Sequence, residues 1–220
     1  MSPAPRHPSE DALLALASGE ADGPLVLLLE AHLQRCDDCA GRMRALSLAG
    51  GALLEAVPPE PVSPDAFDRL WARVEALPAP AAMPQGLPDL PPALAARAAA
   101  ARPWRWSRLF TRGMDNLKLM LDPRTGASLY LIRLHPGGGF PRHRHRGGED
   151  ALILAGGCQD GAQTLEAGDW MSYPAGSVHA PVGDPEEGCW ILTRVEQDEV
   201  AFRGWRGLLQ GAWEGIRGRA

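Results

Sequence analysis

The sequence contains no apolar run long enough to cross a membrane, a span that needs about 18 residues. Its longest apolar run, Pro24 to Leu29, is followed by Glu30 and indicates the buried face of a helix. The first residues, Met-Ser-Pro-Ala-Pro-Arg, also lack the apolar core of a secretory signal. We therefore expect a cytoplasmic protein that does not act at a membrane.

The sequence also lacks an excess of positive charge. Its 22 Lys and Arg residues stand against 27 Asp and Glu residues, which gives a net charge of −5 at pH 7. Nucleic-acid-binding domains usually carry a basic surface that neutralises phosphates, and the local basic run from Arg142 to Arg146 is too short to provide one. Direct contact with DNA or RNA is therefore not expected.

Cysteine is scarce, with four residues in a chain of 220. Structural disulfides are rare in the cytoplasm, so clustered cysteines are more readily interpreted as metal ligands. Glycine and proline are abundant, because 25 Gly and 21 Pro together make about a fifth of the chain. Such a composition indicates many turns or a linker, and the apolar content of 45% is that of a folded protein.

The first third of the chain has the pattern of four short helices. Ser9 precedes two acidic residues and a group of leucines, which is typical of a capped helix start. Further helices are predicted over Leu25–Arg35, from a cap at Asp37 or Asp38 to about Ala56, and over 63–77. Residues 1–77 are thus predicted to form a small four-helix domain, whose thin core would gain from a metal cross-link.

A candidate zinc site lies in this helical third. His32 and Cys36 are one helical turn apart, and the Cys36-x2-Cys39 spacing lets two thiolates meet one tetrahedral ion. The other Cys or His in this third is His7, so we predict His7, His32, Cys36 and Cys39 as the ligands. The alternative is a chance spacing with His7 in a frayed tail. Cys39 is expected near a helix N-terminus, where the helix dipole lowers a thiol pKa.

This spacing resembles the zinc-binding anti-sigma domain, whose motif is His-x3-Cys-x2-Cys with a His or Cys further upstream. In redox-sensing members of that family the site is a thiol switch. In this sequence the upstream residue is His7, so no long-range disulfide can join it to the pair. Oxidation of Cys36 and Cys39 would close only a trivial loop, and we therefore predict a mainly structural zinc.

Residues 78–103 are rich in proline and alanine and are predicted to be a linker. The Ala-rich stretch Leu94–Arg102 has the composition of a helix, but nine residues fall below the roughly 12–15 at which an isolated helix holds. We therefore expect it to dock on another element. From Trp104 onward, short strand-like runs alternate with Gly/Pro turns, which predicts an all-β sandwich or barrel over 104–220.

A second candidate metal site lies in the predicted strands. His143 and His145 are two residues apart, so on a strand both point to one face. Glu149 follows a glycine bend, and His179 lies in a second cluster with Pro174 and Gly176. Three imidazoles and a carboxylate can hold zinc, iron, manganese, nickel or copper. The alternative for the His-x-His pair alone is a surface pair.

The two clusters resemble the two motifs of the cupin family, which implies a double-stranded β-helix jelly roll. The resemblance covers every ligand position, although Gly183 stands where an Asn often ends the second motif. His135 lies outside the pattern and is interpreted as a strand-end residue. Cys158 and Cys189 are interpreted as buried small apolar residues, with an oxidisable thiol near the barrel as the alternative.

The order of the two domains resembles the ChrR anti-sigma factors: an α+β chain with an N-terminal zinc-binding anti-sigma domain, a linker and a C-terminal cupin. That resemblance implies a transcriptional regulator whose helical domain binds and inhibits a group IV (extracytoplasmic-function) sigma factor. It also implies a metal-binding cupin that senses singlet oxygen or related oxidants and triggers release. An unbound anti-sigma domain with an exposed apolar face is also expected to allow homo-oligomers.

Two other functions stay open at the level of the sequence. One is a cupin metalloenzyme, a dioxygenase or hydrolase, with the helical domain as an accessory, because three His and one Glu also suit oxygen chemistry on iron. The other is a sensor whose cupin binds a small molecule without chemistry. No general base or nucleophile stands out beyond the metal ligands, so we predict a regulator and not an enzyme.

Overall fold

A computed structural model of the chain describes residues 7–77, 86–101, 113–196 and 200–202. The predicted linker residues 78–85, the predicted start of the barrel up to residue 112, and residues 203–220 lie outside the described residues. Among the described residues, no single helix is long and apolar enough to span a membrane, and the first two helices meet such a requirement only as a pair bent by 113°.

Four helices lie within residues 7–77, as the sequence predicts: α1 (Glu10–Ser18), α2 (Gly23–Leu33), α3 (Asp37–Glu55) and α4 (Ala66–Glu75). Ser9 and Asp22 cap α1 and α2 by accepting hydrogen bonds from first-turn N–H groups. The predicted cap of α3 at Asp37 or Asp38 is wrong. Cys36 is the N-cap, and its Sγ accepts the first-turn hydrogen bond, because both aspartates already lie inside the first turn.

The second half is built from antiparallel strands, which confirms the predicted all-β fold. The strands are β1 (Met114–Leu121), β2 (Ser128–Leu134), β3 (His143–His145), β4 (Glu149–Asp160), β5 (Gln163–Glu166), β6 (Trp170–Tyr173), β7 (Val178–His179), β8 (Val182–Gly183), β9 (Cys189–Val195) and β10 (Val200–Phe202). The larger sheet has the order β1-β2-β9-β4-β5, with β6 and β8 also paired to β4. A smaller sheet has the order β10-β3-β7.

Helix α2 packs on the larger sheet, and α1 joins α2 and the sheet in one apolar core. Fully buried leucines of this core come from the helices and from the strands: Leu13, Leu28, Leu29, Leu129, Leu152 and Leu192. A separate apolar cluster fills the barrel interior, with Ile132, Leu134, Ile153 and Ile191. Residues along β2, β4 and β9 therefore alternate between the helix-facing side and the barrel interior, as the period of a strand requires.

The Ala-rich segment of the predicted linker forms a docked helix, α5 (Pro92–Ala100). Leu94, Ala95 and Ala98 are buried in the core that the helices share with the sheet. This confirms the prediction that so short a helix needs a surface to pack on. The division of the chain into two domains stays a prediction, because this core is continuous across the predicted boundary.

Strand β4 bends sharply and passes through both parts of the barrel. Residues 149–156 of β4 lie along β9, and the first four of them also pair with β6. The last four residues of β4 pair with β5, and two of these also pair with β8. The bend follows a register irregularity at 153–155 and includes Gly156, whose positive φ of 67° and close approach to Gly188 exclude a side chain. The bend brings the two ends of β4 to the same place in the barrel.

Two candidate metal centres

The first cluster lies where the start of α1, the end of α2 and the start of α3 come together. His7 precedes α1, His32 lies in the last turn of α2, and Cys36 and Cys39 occupy the N-cap and first turn of α3. One donor atom from each of these four residues lies within 4.8 Å of the others. The structure thus brings together all four residues predicted from the sequence.

The spacing of the donor atoms in this first cluster suits a tetrahedral ion. Nδ1 of His7 lies 3.4 Å from Sγ of Cys36 and 3.4 Å from Sγ of Cys39. Two ligands of a tetrahedral zinc, one nitrogen and one sulfur, would be about 3.5 Å apart. Within the described part of the chain, neither ring nitrogen of the buried His32 has a hydrogen-bond partner. A bound metal would compensate one of these nitrogens for its burial.

The electrostatics of the first cluster also fit a metal. Burial lowers the pKa of His32 to about 4, with smaller contributions from the charges of His7 and Arg35, so the imidazole is neutral and able to ligate. The pKa of the Cys39 thiol is raised to about 11 by burial and by Cys36. The prediction of a lowered pKa at this helix N-terminus is therefore wrong, because burial and the neighbouring Cys36 raise it; binding of a metal would deprotonate the thiol.

The second cluster lies inside the barrel and joins three strands. His143 and His145 come from β3, Glu149 begins β4, and His179 ends β7 directly opposite His143 in the strand register. Nε2 of His179 lies 2.9 Å from Nε2 of His143 and 2.8 Å from Nε2 of His145. Oε2 of Glu149 lies 2.8 Å from Nε2 of His145 and 3.3 Å from Nε2 of His179. All four predicted residues are thus brought together.

Four donor atoms that converge in this way match the ligand shell of a cation. A ring nitrogen carries either a proton or a lone pair, so Nε2 of His179 cannot form well-aligned hydrogen bonds with Nε2 of both His143 and His145. Nitrogen ligands of a tetrahedral zinc would be about 3.3 Å apart, so a small outward movement of the rings would admit an ion. The donor set of three His and one Glu suits a divalent transition metal.

Residues that the sequence analysis missed hold these ligands in place. Nδ1 of His179 lies 2.9 Å from Oδ2 of Asp160, which also accepts a 2.6 Å hydrogen bond from the Tyr173 hydroxyl. The hydroxyl of Thr193 donates to Oε1 of Glu149 at 2.6 Å, and Nδ1 of His143 contacts the Pro141 carbonyl at 2.8 Å. Such partners orient metal ligands. No sequence motif marks Asp160, because the bend in β4 is what brings it to His179.

Burial and neighbouring charges separate the pKa values of the second cluster. Burial, and then His179, lower the pKa of His143 to about 4. Burial also acts to lower the pKa of His179, but its contacts with Asp160 and Glu149 outweigh it and raise this pKa to about 9. The pKa of the Glu149 carboxyl is well below its usual range although burial opposes this, because His145 and His179 stabilise the anion.

Other residues considered at the sequence level lie outside the two clusters. His135 follows β2 and pairs with Asp115 at 2.9 Å, as a strand-end residue. Cys158 and Cys189 are buried free thiols within the apolar cluster of the barrel. Beside the second cluster a cavity of about 480 Å³ opens, and its lining includes Arg142, Gln163, Tyr173 and His179.

Comparison with known proteins agrees with this arrangement. Residues 95–198 match the family described as the ChrR Cupin-like domain. Over 198 residues the chain is 31% identical to the anti-sigma-E factor ChrR of Cereibacter sphaeroides, covering 87% of this chain and 90% of that protein. The chain belongs to the ChrR family of anti-sigma factors. This confirms the resemblance read from the motifs and places the chain among anti-sigma factors, not among the cupin enzymes considered as the alternative.

One solved structure supports the same fold over most of the chain. The crystal structure of Rhodobacter sphaeroides SigE in complex with the anti-sigma ChrR matches with a TM-score of 0.67 and 26% identity, covering 86% of this chain and 98% of that one. An acetylacetone dioxygenase from Acinetobacter johnsonii matches with a TM-score of 0.42 and 17% identity, over 51% of this chain and 85% of that one. At that TM-score the second likeness carries no argument about function.

Proposed function

We propose that this ChrR-family chain binds and inhibits a group IV (extracytoplasmic-function) sigma factor in the cytoplasm. The proposal is supported by the family membership and by the relative that was crystallised with SigE. The observation that carries it is an apolar helix face with no partner in the described part of the chain. That face belongs to α4, and it is the surface we assign to the sigma factor.

Helix α4 is strongly amphipathic but buries none of its side chains. Phe67 and Trp71 stack on each other with ring centroids 6.1 Å apart and are 69% and 52% exposed. Leu70 and Val74 continue the same helical stripe and are also exposed. Exposed aromatic and aliphatic stripes of this kind are typical of protein interfaces, and a helix that inserts into a groove uses this spacing.

The two metal centres take different parts in this proposal. The first, with His7, His32, Cys36 and Cys39, holds a structural Zn²⁺ that cross-links the segment before α1 to α2 and to the N-terminus of α3. The second, with His143, His145, Glu149 and His179, holds Zn²⁺ or another divalent transition metal. Four protein ligands on a zinc ion would close the second site to substrate, which suits a sensor better than an enzyme.

The second centre is the proposed sensor of singlet oxygen or related oxidants. Release of the sigma factor would be a population shift, in which the oxidised cupin favours a state of the chain that binds the sigma factor poorly. In the absence of the sigma factor, the exposed face of α4 would also support self-association of the chain.

Substitutions on α4 test the binding surface. Phe67→Asp combined with Trp71→Asp should raise the dissociation constant for a group IV sigma factor that the wild-type chain binds by at least about 30-fold, because aromatic residues at an interface centre contribute most to binding. Calorimetry of the full-length chain gives the affinity. Leu121→Asp, at an apolar residue of β1 that is 49% exposed, is the control, and equal affinities for all three proteins would contradict the proposal.

The sensor role has a separate test. His143→Ala or His179→Ala should leave sigma-factor affinity intact but remove the release caused by singlet oxygen, measured as dissociation of the purified complex under a photosensitiser. If either substitution abolishes inhibition of the sigma factor, the cupin itself takes part in inhibition, and the assignment of binding to α4 and sensing to the cupin is wrong.

A further inference from the structure

A buried ion pair joins the helices to the sheet. Arg194 on β9 points its guanidinium at Asp22, with Nε 3.0 Å from both carboxylate oxygens and Nη2 bonded to one of them. The two side chains are only 11% and 6% exposed. Asp22 is also the N-cap of α2 and accepts the Leu25 N–H at 2.8 Å, so the same carboxylate anchors the helix and ties it to the sheet.

The same arginine reaches the strand that carries a ligand of the second cluster. Its Nη1 lies 3.3 Å from Oδ2 of Asp150, directly opposite in the β4–β9 register. Because side chains alternate along a strand, Asp150 and Arg194 face α2 while Glu149 and Thr193 face the barrel. Thr193 donates to the Glu149 carboxylate and also contacts the Asp150 carbonyl at 3.1 Å, so both faces are joined at this point.

A second chain of contacts leads from Asp150 to the first cluster. Oδ1 of Asp150 accepts the Ser172 hydroxyl at 2.7 Å, and that hydroxyl accepts the Trp170 indole N–H at 3.1 Å. The Trp170 ring in turn packs edge-on against His32, with centroids 5.6 Å apart. Glu149 of the second cluster and His32 of the first are therefore linked by continuous contacts through β4, β6 and β9.

We propose that Arg194 is a positioning residue that couples the two centres by holding α2, and with it His32, on the strand that bears Glu149. This inference rests on the proposed function, because it assigns the route by which the cupin acts on the sigma-binding half. If α2 moved away, Arg194 would keep Asp150 and Glu196 as partners, but the almost buried Asp22 would lose its cation, which is costly. Helix α2 therefore either keeps the pair or moves far enough for the Asp22 carboxylate to reach water, which gives the contact between α2 and the sheet two states.

The test measures how a change at the second cluster affects the first. In the Co²⁺-loaded protein, cobalt–thiolate absorption reports only the cluster with Cys36 and Cys39, because the other has no sulfur ligand. Glu149→Ala removes a ligand and the Thr193 partner. It should speed the loss of that absorption to a chelator by at least about fivefold, the lower range of allosteric coupling.

Arg194→Gln should abolish this coupling, so that adding Glu149→Ala changes the rate by a factor of about one. Asp22→Asn should do the same, because Asn still caps the helix but lacks the charge; it serves if Arg194→Gln does not fold. The control is Arg133→Gln, which removes an exposed arginine stacked on Trp190 on the same sheet and should keep the fivefold effect. A retained effect in the Arg194 and Asp22 variants, or its loss in the control, would overturn the inference.

A second readout covers a protein that gives no cobalt–thiolate absorption. The rates at which iodoacetamide alkylates Cys36 and Cys39, followed by peptide mass spectrometry, should show the same ratios between variants and decide the inference in the same way. Sigma-factor affinity is measured in parallel. If Glu149→Ala changes the rates equally in the wild-type, Arg194→Gln and Asp22→Asn backgrounds while sigma binding is normal, this inference alone is wrong. If the wild-type chain binds no sigma factor, the proposed function is wrong.

Discussion

The His179 imidazole is held from both sides, with Glu149 and its neighbouring histidines at Nε2 and Asp160 at Nδ1. Glu149 and Asp160 are the first and last residues of β4, which would lie about 36 Å apart on a straight strand. Because β4 bends, the side chains of these two residues instead contact opposite nitrogens of the same imidazole ring. A carboxylate on the far nitrogen fixes the tautomer of a ligand histidine and its orientation.

Replacement of Asp160 by Asn should therefore weaken metal binding at the second cluster by about 10- to 100-fold, because the His179 ring loses the anion that orients it. Chelator competition with the purified chain measures this affinity. Asp115→Asn, which breaks the corresponding pair with His135 outside the cluster, is the matched control. Equal affinities for the two variants would contradict the assigned role of Asp160.

The buried His32 makes the metal-free protein sensitive to acid. Its pKa of about 4 is below the ordinary 6.5, so the unfolded chain binds this proton more readily. Its contribution to stability is complete above about pH 6.5 and is lost as the pH falls toward 4. In chelator-treated protein, the urea midpoint should decrease over this window more steeply for wild type than for His32→Gln. Parallel curves would show that His32 does not titrate in this way.

At the scale of elements, the helices differ in whether the sheet buries one of their faces. Helices α2 and α5 are held by the sheet, whereas α4 contributes no buried side chain to the described structure. The amphipathic pattern of α4 was readable in the sequence, but the same pattern predicts a core-facing helix equally well. Only the structure shows that its apolar stripe is exposed, which is why it is assigned to a partner.

Docking of α5 should contribute measurably to the stability of the chain. Leu94 is fully buried between α5 and the sheet, so Leu94→Ala should lower the free energy of unfolding by about 2–5 kcal/mol through lost burial and a cavity. Arg97→Ala on the exposed side of the same helix should change it by no more than about 0.5 kcal/mol. Urea titration followed by circular dichroism compares them, and equal values would mean that α5 does not dock in solution.

At the scale of the whole molecule, two centres of different chemistry lie on opposite sides of one sheet. The first has two sulfur and two nitrogen donors among the helices, and the second has nitrogen and oxygen donors within the barrel. The apolar core and the Arg194–Asp22 ion pair hold the helices on the sheet, and the sheet separates the two centres.

Purified protein should accordingly contain about two metal ions per chain, one for each donor set. Cys36→Ser with Cys39→Ser should reduce the content to about one ion by disrupting the first centre, and His143→Ala with His179→Ala should do so at the second. Elemental analysis by mass spectrometry gives the number. A wild-type value near one would show that one of the two clusters is not a metal site.

Local spacing was enough to single out five of the eight candidate ligands, whereas His7 followed as the other Cys or His of the helical third, and Glu149 and His179 followed from the match to the cupin motifs. His-x3-Cys-x2-Cys at a helix junction and His-x-His on a strand bring donors together through nearby backbone geometry, which is why these residues stand out in the sequence. The same is true of the capped start at Ser9 and the alternation of turns and short strands. The family resemblance then joined the separate motifs into one architecture.

Contacts between residues far apart in the chain were decided by the tertiary structure alone. Asp22 and Arg194 are separated by 172 positions, and Asp160 reaches His179 only because β4 bends. The same holds for α5, whose docking surface could not be named from its sequence, and for Cys39, whose pKa follows its burial rather than its place on a helix. Sequence periodicity determines which side chains share a face, but which faces meet depends on packing of the whole chain.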